Sequence, residues 1–398
     1  MIKREHYIEK LRPFYDSDLI KIITGIRRSG KSVILEQIME EIKSAGGGVI
    51  YLNFEDEQTL NNLPDADSLI NYVKNYRIEH NLENLHVFFD EIQEVENWAS
   101  ACKTIRLAKG NSLFITGSNS KLLAKEFTTE FSGRYISLRV RPFVYEEIKQ
   151  YSEELGHEIS TTDYLIWGGF PKRLEFSEPE ARDIYLKELN HSIVENDLIV
   201  RYNIQNTELF RRVVNYVLRS NSRIFSARSI EAYLKNEHVE GSVNTIIKYL
   251  GYLEEAYIID RIKPYSTRTK SELAYSFKLY DADVSLNSIR VADNRYDLTH
   301  NFENIIYNEL IYRGYNLEVY NDEKGEVDFV ATKDGKKYYI QVAYSVAEEK
   351  TYNREMKAFD ALGNDAKKIL ITNDEIDYST STVQHINFAD FLQNSPTI

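Results

Sequence analysis

Apolar and polar positions divide the chain into four stretches. Leu19-Ile20-Lys21-Ile22-Ile23-Thr24 is mostly apolar and β-branched, which predicts a buried strand. A glycine-containing segment follows. From Lys31 the text takes helical period, with Val33, Ile34, Ile38 and Ile42 on one side, until Gly46-Gly47-Gly48 ends it. Further strands are expected at 49–52, 85–89 and 113–116. Residues 145–204 read as helical around a Gly168-Gly169 turn and are expected to pack on the first stretch. From 208 the pattern predicts three short helices, at 208–218, 227–234 (capped by Ser226) and 243–253 (capped by Ser242). On the third, Val243, Ile246, Ile247, Leu250 and Leu253 share a face, with Asn244, Thr245, Lys248 and Tyr249 on the other. A hairpin from 257–259 to 274–280 completes the order of a winged helix-turn-helix. The remainder reads helix (300–313), three strands (317–320, 326–331, 337–342), helix (350–362) and strand (368–372). The fold class is α/β: a parallel sheet with helices, a helical region, a winged helix-turn-helix and a second α/β domain. The expected boundaries are 1–144, 145–204, 205–285 and 286–398.

Composition narrows the setting. A chain of 398 residues suggests two to four domains. Its 42% hydrophobic content suffices for ordinary cores and argues against global disorder. No apolar run approaches the roughly 20 residues that cross a bilayer, so no membrane association is expected. Met1-Ile2-Lys3-Arg4-Glu5-His6 leads into no apolar stretch, which argues against a signal peptide. Cys102 is the single cysteine, and a reducing cytoplasm is the expected compartment. The net charge of −13 disfavours indiscriminate polyanion binding, so a nucleic-acid partner has to be met by a local basic face.

The first stretch carries the strongest chemistry. Gly25-Ile26-Arg27-Arg28-Ser29-Gly30-Lys31-Ser32 lies between strand and helix with the spacing of a phosphate-binding loop. Gly25 and Gly30 allow the backbone to curl so that successive N–H groups face phosphate oxygens. The helix N-terminus adds partial positive charge. Lys31 is the candidate for the β- and γ-phosphates and Ser32 for magnesium, which makes ATP and Mg2+ the expected cofactors. Asp90 and Glu91 end a buried strand, where ligands of open α/β sheets bind. Asp90 can hold the metal, directly or through water, and Glu91 can orient and deprotonate the attacking water. Ser118 and Asn119 follow the next strand and are candidate sensors of the γ-phosphate. Asn53 is a candidate restraint on Glu91. Arg134 is a candidate for a γ-phosphate across a subunit boundary, where it would stabilise transferring charge. In the winged helix, Asn244, Thr245 and Lys248 would face a DNA groove, with Arg261, Lys263, Arg268 and Lys270 on phosphates. The same module can equally serve protein contact or inter-domain packing.

Ile-Thr-Gly-Ile-Arg-Arg-Ser-Gly-Lys-Ser, Tyr-Leu-Asn-Phe-Glu-Asp, Phe-Phe-Asp-Glu-Ile-Gln, Ile-Thr-Gly-Ser-Asn-Ser, Ser-Gly-Arg-Tyr before Arg-Pro-Phe, and Trp-Gly-Gly-Phe-Pro at 167–171 occur in this order. Together they resemble the AAA+-type archaeal and bacterial ATPases that carry a C-terminal domain of unknown function. The resemblance implies an oligomer-forming ATPase core, with a ring as one form, a winged helix and a C-terminal fold like restriction endonucleases. In that fold Asp328 would stand at the metal-binding aspartate. The next strand would carry Glu/Gln-x-Lys, but here reads Gln341-Val342-Ala343. Ala343 supplies no ammonium, so nuclease activity is not expected, and Glu303 and Asp328 would be remnants of a metal site. The expected function is a Mg-dependent ATPase that couples hydrolysis to DNA binding or remodelling as an oligomer. The alternative is a nucleotide-dependent signalling or assembly switch acting on a protein partner.

Overall fold

The computed structural model describes residues 2–117, 131, 133–262, 264–265, 276–291, 296–322, 325–363 and 366–393. Contacts gather into two compact units. One runs up to Pro142 and includes Glu255–Tyr257; the other holds Phe143–Glu254 and the chain from Ile258.

The first unit is built on five strands: β1 (Ile20–Thr24), β2 (Gly48–Asn53), β3 (Leu85–Asp90), β4 (Asn111–Gly117) and β5 (Tyr135–Arg139). All pairs are parallel, in the order β2-β3-β4-β1-β5. β1, β3 and β4 are buried throughout, which explains their near-continuous apolar text. Lys21 is the exception inside β1. Its Nζ donates to Ser112 Oγ (2.6 Å) and to the Leu19 carbonyl (2.9 Å), and burial lowers its pKa to about 7. The helix Lys31–Ser44 buries Ile34, Leu35, Ile38 and Ile42. Leu35 thus takes the inward place expected for Val33, which is half-buried.

In the second unit the helices Tyr145–Glu154, Thr161–Trp167 and Pro179–Ser192 follow the expected helical stretch. This stretch groups with the C-terminal segments, not with the nucleotide core as expected. Buried polar contacts are the reason. The Tyr145 N–H donates to Glu309 (2.8 Å), and the Gly169 N–H donates to Asp283 (2.5 Å). Gly168 has φ +66°, and a Cβ there would lie 1.8 Å from Asp283 Oδ1. The Gly-Gly turn is therefore a close approach between segments about 115 residues apart.

Next come the helices Thr207–Leu218, Ala227–Asn236 and Val243–Glu255. Ser226 and Ser242 cap the latter two: the Ser229 N–H donates to Ser226 Oγ and the Thr245 N–H to Ser242 Oγ. The strands β6 (Ile224–Ser226), β7 (Ile259–Ile262) and β9 (Ser276–Asp281) form an antiparallel sheet in the order β6-β9-β7. The third helix is rotated from the expected setting. Tyr249 is buried edge-on against Phe210 (centroids 4.9 Å apart), while Ile247 is 43% exposed. A stripe through Ile246, Tyr249, Leu250 and Leu253 fits the 3.6-residue period, and Ile247 falls off it.

A six-stranded sheet completes the unit, in the order β14-β13-β12-β11-β10-β8. Its members are β8 (Pro264–Tyr265), β10 (Asn316–Asp322), β11 (Gly325–Lys333), β12 (Lys336–Val342), β13 (Lys367–Thr372) and β14 (Val383–Asn387). The helix Leu298–Tyr312 precedes β10, and Glu349–Lys357 separates β12 from β13. β8 pairs with β10, so the boundary drawn at 285 does not separate one sheet from the other. Among the described residues no helix is long and apolar enough to cross a membrane.

Candidate nucleotide site

The loop after β1 turns on residues with positive φ: Gly25 (+146°), Arg28 (+65°) and Gly30 (+96°). Gly25 passes so close to the neighbouring chain that a Cβ would lie 2.1 Å from the Val140 carbonyl oxygen. Lys31 opens the helix and is 5% exposed. Its ammonium faces the Gly25 (3.3 Å) and Ile26 (3.5 Å) carbonyls and Glu91 Oε1 (3.5 Å). Ile26 is buried, Arg28 is exposed, and Arg27 lies 3.7 Å from Glu55.

β3 delivers Asp90 and Glu91 to the same end of the sheet, both buried. Thr116, near the end of β4, joins them: its hydroxyl donates to Asp90 Oδ1 and accepts the Glu91 N–H (2.9 Å). Tyr51 on β2 donates to Asp90 Oδ2 (3.0 Å). Burial and the Asp90 charge raise the Tyr51 phenol above its ordinary range, which keeps it a donor. Glu91 has φ +51°, a backbone strain often found where a side chain is aimed at a site. Gln93 Nε2 donates to Glu91 Oε2 (2.6 Å).

Two features of the loop test whether a triphosphate and a magnesium ion fit. The glycine cradle leaves no room for a side chain at Gly25, and Ser29 Oγ is buried without a hydrogen-bond partner among the described residues. Asp90 keeps lone pairs beyond its two hydroxyl bonds, so it can still accept a metal-bound water. The donor set fits both groups.

Several residues of the site were not foreseen. Thr116, Tyr51 and Gln93 are single polar residues at element ends, which carry no periodic signal. Arg4 is another: fully buried, it donates to the Ser29 carbonyl (2.8 Å) and the Arg141 carbonyl (3.0 Å), bracing the loop from outside. Asn53 does not reach Glu91 as expected. Its Oδ1 accepts the Glu55 N–H (2.9 Å), a short-range turn bond that asparagine favours. Ser118 and Asn119 lie outside the described residues. Arg134 is exposed at the start of β5, where its carbonyl accepts the Ile20 N–H. Five strand residues, roughly 16 Å, separate it from its own loop. Its side chain therefore does not reach the phosphate-binding loop of its own chain.

Thr116→Val keeps the shape of the side chain but removes the hydroxyl shared by Asp90 and Glu91. A hydrogen bond to a charged acceptor contributes about 1.5–3 kcal/mol, so ATP turnover should fall roughly 10- to 100-fold. Thr116→Ser should keep most of it. Steady-state phosphate release compares the three, and equal rates in wild type and Thr116→Val would remove Thr116 from the site.

The expected DNA face is only partly described. Asn244 and Lys248 are exposed on the third helix and Thr245 is half-buried. Arg261 is ion-paired with Glu254 and lies 5.3 Å from the Phe277 ring centroid, so a carboxylate of its own chain already engages it. Lys263, Arg268 and Lys270 lie outside the described residues.

In the C-terminal sheet, Asp328 and Gln341 are buried neighbours: the Asp328 N–H donates to Gln341 Oε1 (3.3 Å). Lys278 of β9 reaches the same place. Its ammonium lies 2.8 Å from Asp328 Oδ1, 2.7 Å from Glu303 Oε1 and 3.1 Å from Glu326 Oε1. Burial lowers the Lys278 pKa, but Asp328, Glu303 and Glu326 outweigh it and hold the group charged. Burial pushes the Glu303 carboxyl upward, against the pull of the Lys278 ammonium.

A five-stranded parallel sheet, with a phosphate-binding loop after β1 and paired acids at the end of β3, defines an AAA-type P-loop ATPase fold. Residues 17–149 match the AAA domain family, 159–293 a domain of unknown function (DUF8612) and 298–391 a second (DUF4143). An uncharacterized protein of Haemophilus influenzae is 31% identical over 382 residues, covering 94% of this chain and 93% of that protein. Uncharacterized protein MJ1544 of Methanocaldococcus jannaschii is 32% identical over 379 residues, covering 89% and 82%. Among solved structures, the Walker-type ATPase PABY2304 of Pyrococcus abyssi aligns with TM-score 0.51 at 16% identity, over 73% of this chain and 96% of that one. The chain belongs to the family of AAA-type P-loop ATPases with a C-terminal DUF4143 domain.

Proposed function

We propose that the chain is a Mg-dependent ATP hydrolase whose turnover is coupled to engagement of a partner by its second unit, with DNA as the partner. The observation that carries the hydrolase reading is the Lys31–Glu91 ion pair at the end of the sheet (3.5 Å), beside a loop that turns on Gly25, Arg28 and Gly30. A triphosphate entering there exchanges one anion for another at Lys31 and releases Glu91. Backbone amides of Gly25–Ser32 and the Lys31 ammonium would hold the phosphates, and Ser32 and Asp90 would hold the magnesium ion. When bound, that ion supplies positive charge against the oxygens of the breaking bond. Glu91 takes a proton from the attacking water, while Thr116 and Tyr51 keep Asp90 oriented. Arg134 of one copy would stabilise the nucleotide of the next, which makes an oligomer the working form.

The DNA reading is supported by the helix and strand order of residues 207–281, which fits a winged helix, and by basic residues beside it. Arg212, Arg219 and Arg223 line a cavity of about 600 Å³ with Tyr216, Tyr233 and Asp297, where Arg212 pairs with Glu208 and Arg223 with Asp297. Arg219 has no polar side-chain partner among the described residues. The Arg261–Glu254 pair and the net charge of −13 favour the alternative, a nucleotide-dependent switch acting on a protein. ATP turnover of wild type and Lys31→Ala, with single-stranded, duplex and branched DNA, separates the two readings. The DNA reading expects stimulation by one form in the wild type only, with affinity falling steeply as salt rises. Turnover indifferent to all three, with no DNA bound at low salt, would select the protein switch.

A further inference from the structure

The restriction-endonuclease resemblance implies a divalent metal among Glu303, Asp328 and Gln341. The geometry of these residues does not fit one. Lys278 places its ammonium where the three carboxylates converge, and its three N–H donors match three oxygens: Glu303 Oε1, Asp328 Oδ1 and Glu326 Oε1. The remaining ligand candidates are engaged as well. Asp328 Oδ2 accepts the Val342 N–H (2.9 Å). Glu303 Oε1 also accepts the Tyr280 hydroxyl (2.6 Å). Gln341 turns its oxygen to the Asp328 N–H and donates its amide to Glu355 (2.7 Å), whose other oxygen accepts Arg354. The N···O distances of 2.7–3.1 Å suit an ammonium, whereas a small divalent ion such as Mg2+ draws oxygens to about 2.1 Å.

Lys278 comes from a different sheet. It sits on β9, paired with Ile224 of β6 and Ile262 of β7, while Glu326 and Asp328 stand on β11 and Glu303 on the helix Leu298–Tyr312. We infer that the Lys278 ammonium is the resident cation of this centre, tying the three-stranded sheet to the six-stranded one and excluding a divalent ion while it stays there. Ala343 then marks no lost lysine function. The cation of the centre comes from β9 and holds structure in place of chemistry.

The test uses the full-length chain without nucleotide and Mn2+ as the probe, read by titration calorimetry and thermal unfolding. Removing Lys278 leaves buried carboxylates without their counter-charge. Lys278→Ala should therefore unfold roughly 10 °C below wild type in metal-free buffer, by the usual effect of breaking a buried ion pair. Mn2+ should restore a large part of that shift, and adding Asp328→Asn to Lys278→Ala should abolish the rescue. A folded Lys278→Ala chain that takes no Mn2+ would overturn the assignment. The wild-type titration decides independently of how the variant folds. Mn2+ bound one-to-one at a site that Asp328→Asn removes overturns the proposal, and the absence of such binding supports it.

Discussion

Glu91→Gln should bind ATP with near wild-type affinity and hydrolyse it at least about 100-fold more slowly, the range expected when a general base loses its proton acceptor. Glutamine preserves the volume and one carbonyl oxygen, so it can still accept the bond from Gln93. It cannot take a proton from water at neutral pH. It also removes the negative charge that faces Lys31, so phosphate binding meets one competitor fewer. Affinity should therefore hold or rise while turnover collapses. Single-turnover phosphate release, beside equilibrium binding of a fluorescent ATP analogue, reads both quantities. Turnover within about threefold of wild type would take the base away from Glu91.

Gly25→Ala should destroy nucleotide binding and destabilise the fold. The added methyl would stand 2.1 Å from the Val140 carbonyl oxygen, a backbone atom that cannot rotate away, and φ +146° is itself costly for an L-residue. Together, overpacking and a strained dihedral are worth about 2–4 kcal/mol. Whichever element yields, the loop or the start of the chain after β5, the backbone that would hold the phosphates is displaced. The unfolding temperature should fall by several degrees and ATP affinity by at least about 100-fold. A folded Gly25→Ala chain with unchanged affinity would show that the loop's curl is not what holds the nucleotide.

The placement of the candidate nucleotide site was largely legible because a motif of this kind demands fixed spacing. Eight consecutive residues must follow a strand and open a helix, and two acids must end a buried strand. What escaped was contributed by distance or by isolated residues. Thr116 looks like the last residue of an apolar strand until β4 is laid beside β3. Arg4 sits in a charged N-terminal run that gives no hint of burial. Lys278 meets Asp328 across 50 residues of sequence, and nothing in the text around either points to the other. The short strands β6 and β14 lacked enough apolar residues to show a period: Val383-Gln384-His385-Ile386-Asn387 has two. Helix rotation was misread at Tyr249 for a different reason: an aromatic with a polar tip passed for a surface residue. The helical stretch from 145 was assigned to the wrong neighbour because its anchors, Glu309 and Asp283, lie far along the chain.

One measurement bears on the central claim more directly than any other: titration of the wild-type chain and of Lys31→Ala with a non-hydrolysable ATP analogue, with and without Mg2+. The arrangement of Lys31, Asp90 and the loop amides predicts saturable, Mg2+-strengthened binding by the wild type and a loss of at least about 100-fold, or roughly 2.7 kcal/mol, in the variant. Wild-type protein that fails to bind, or a variant that binds as tightly as wild type, would contradict it.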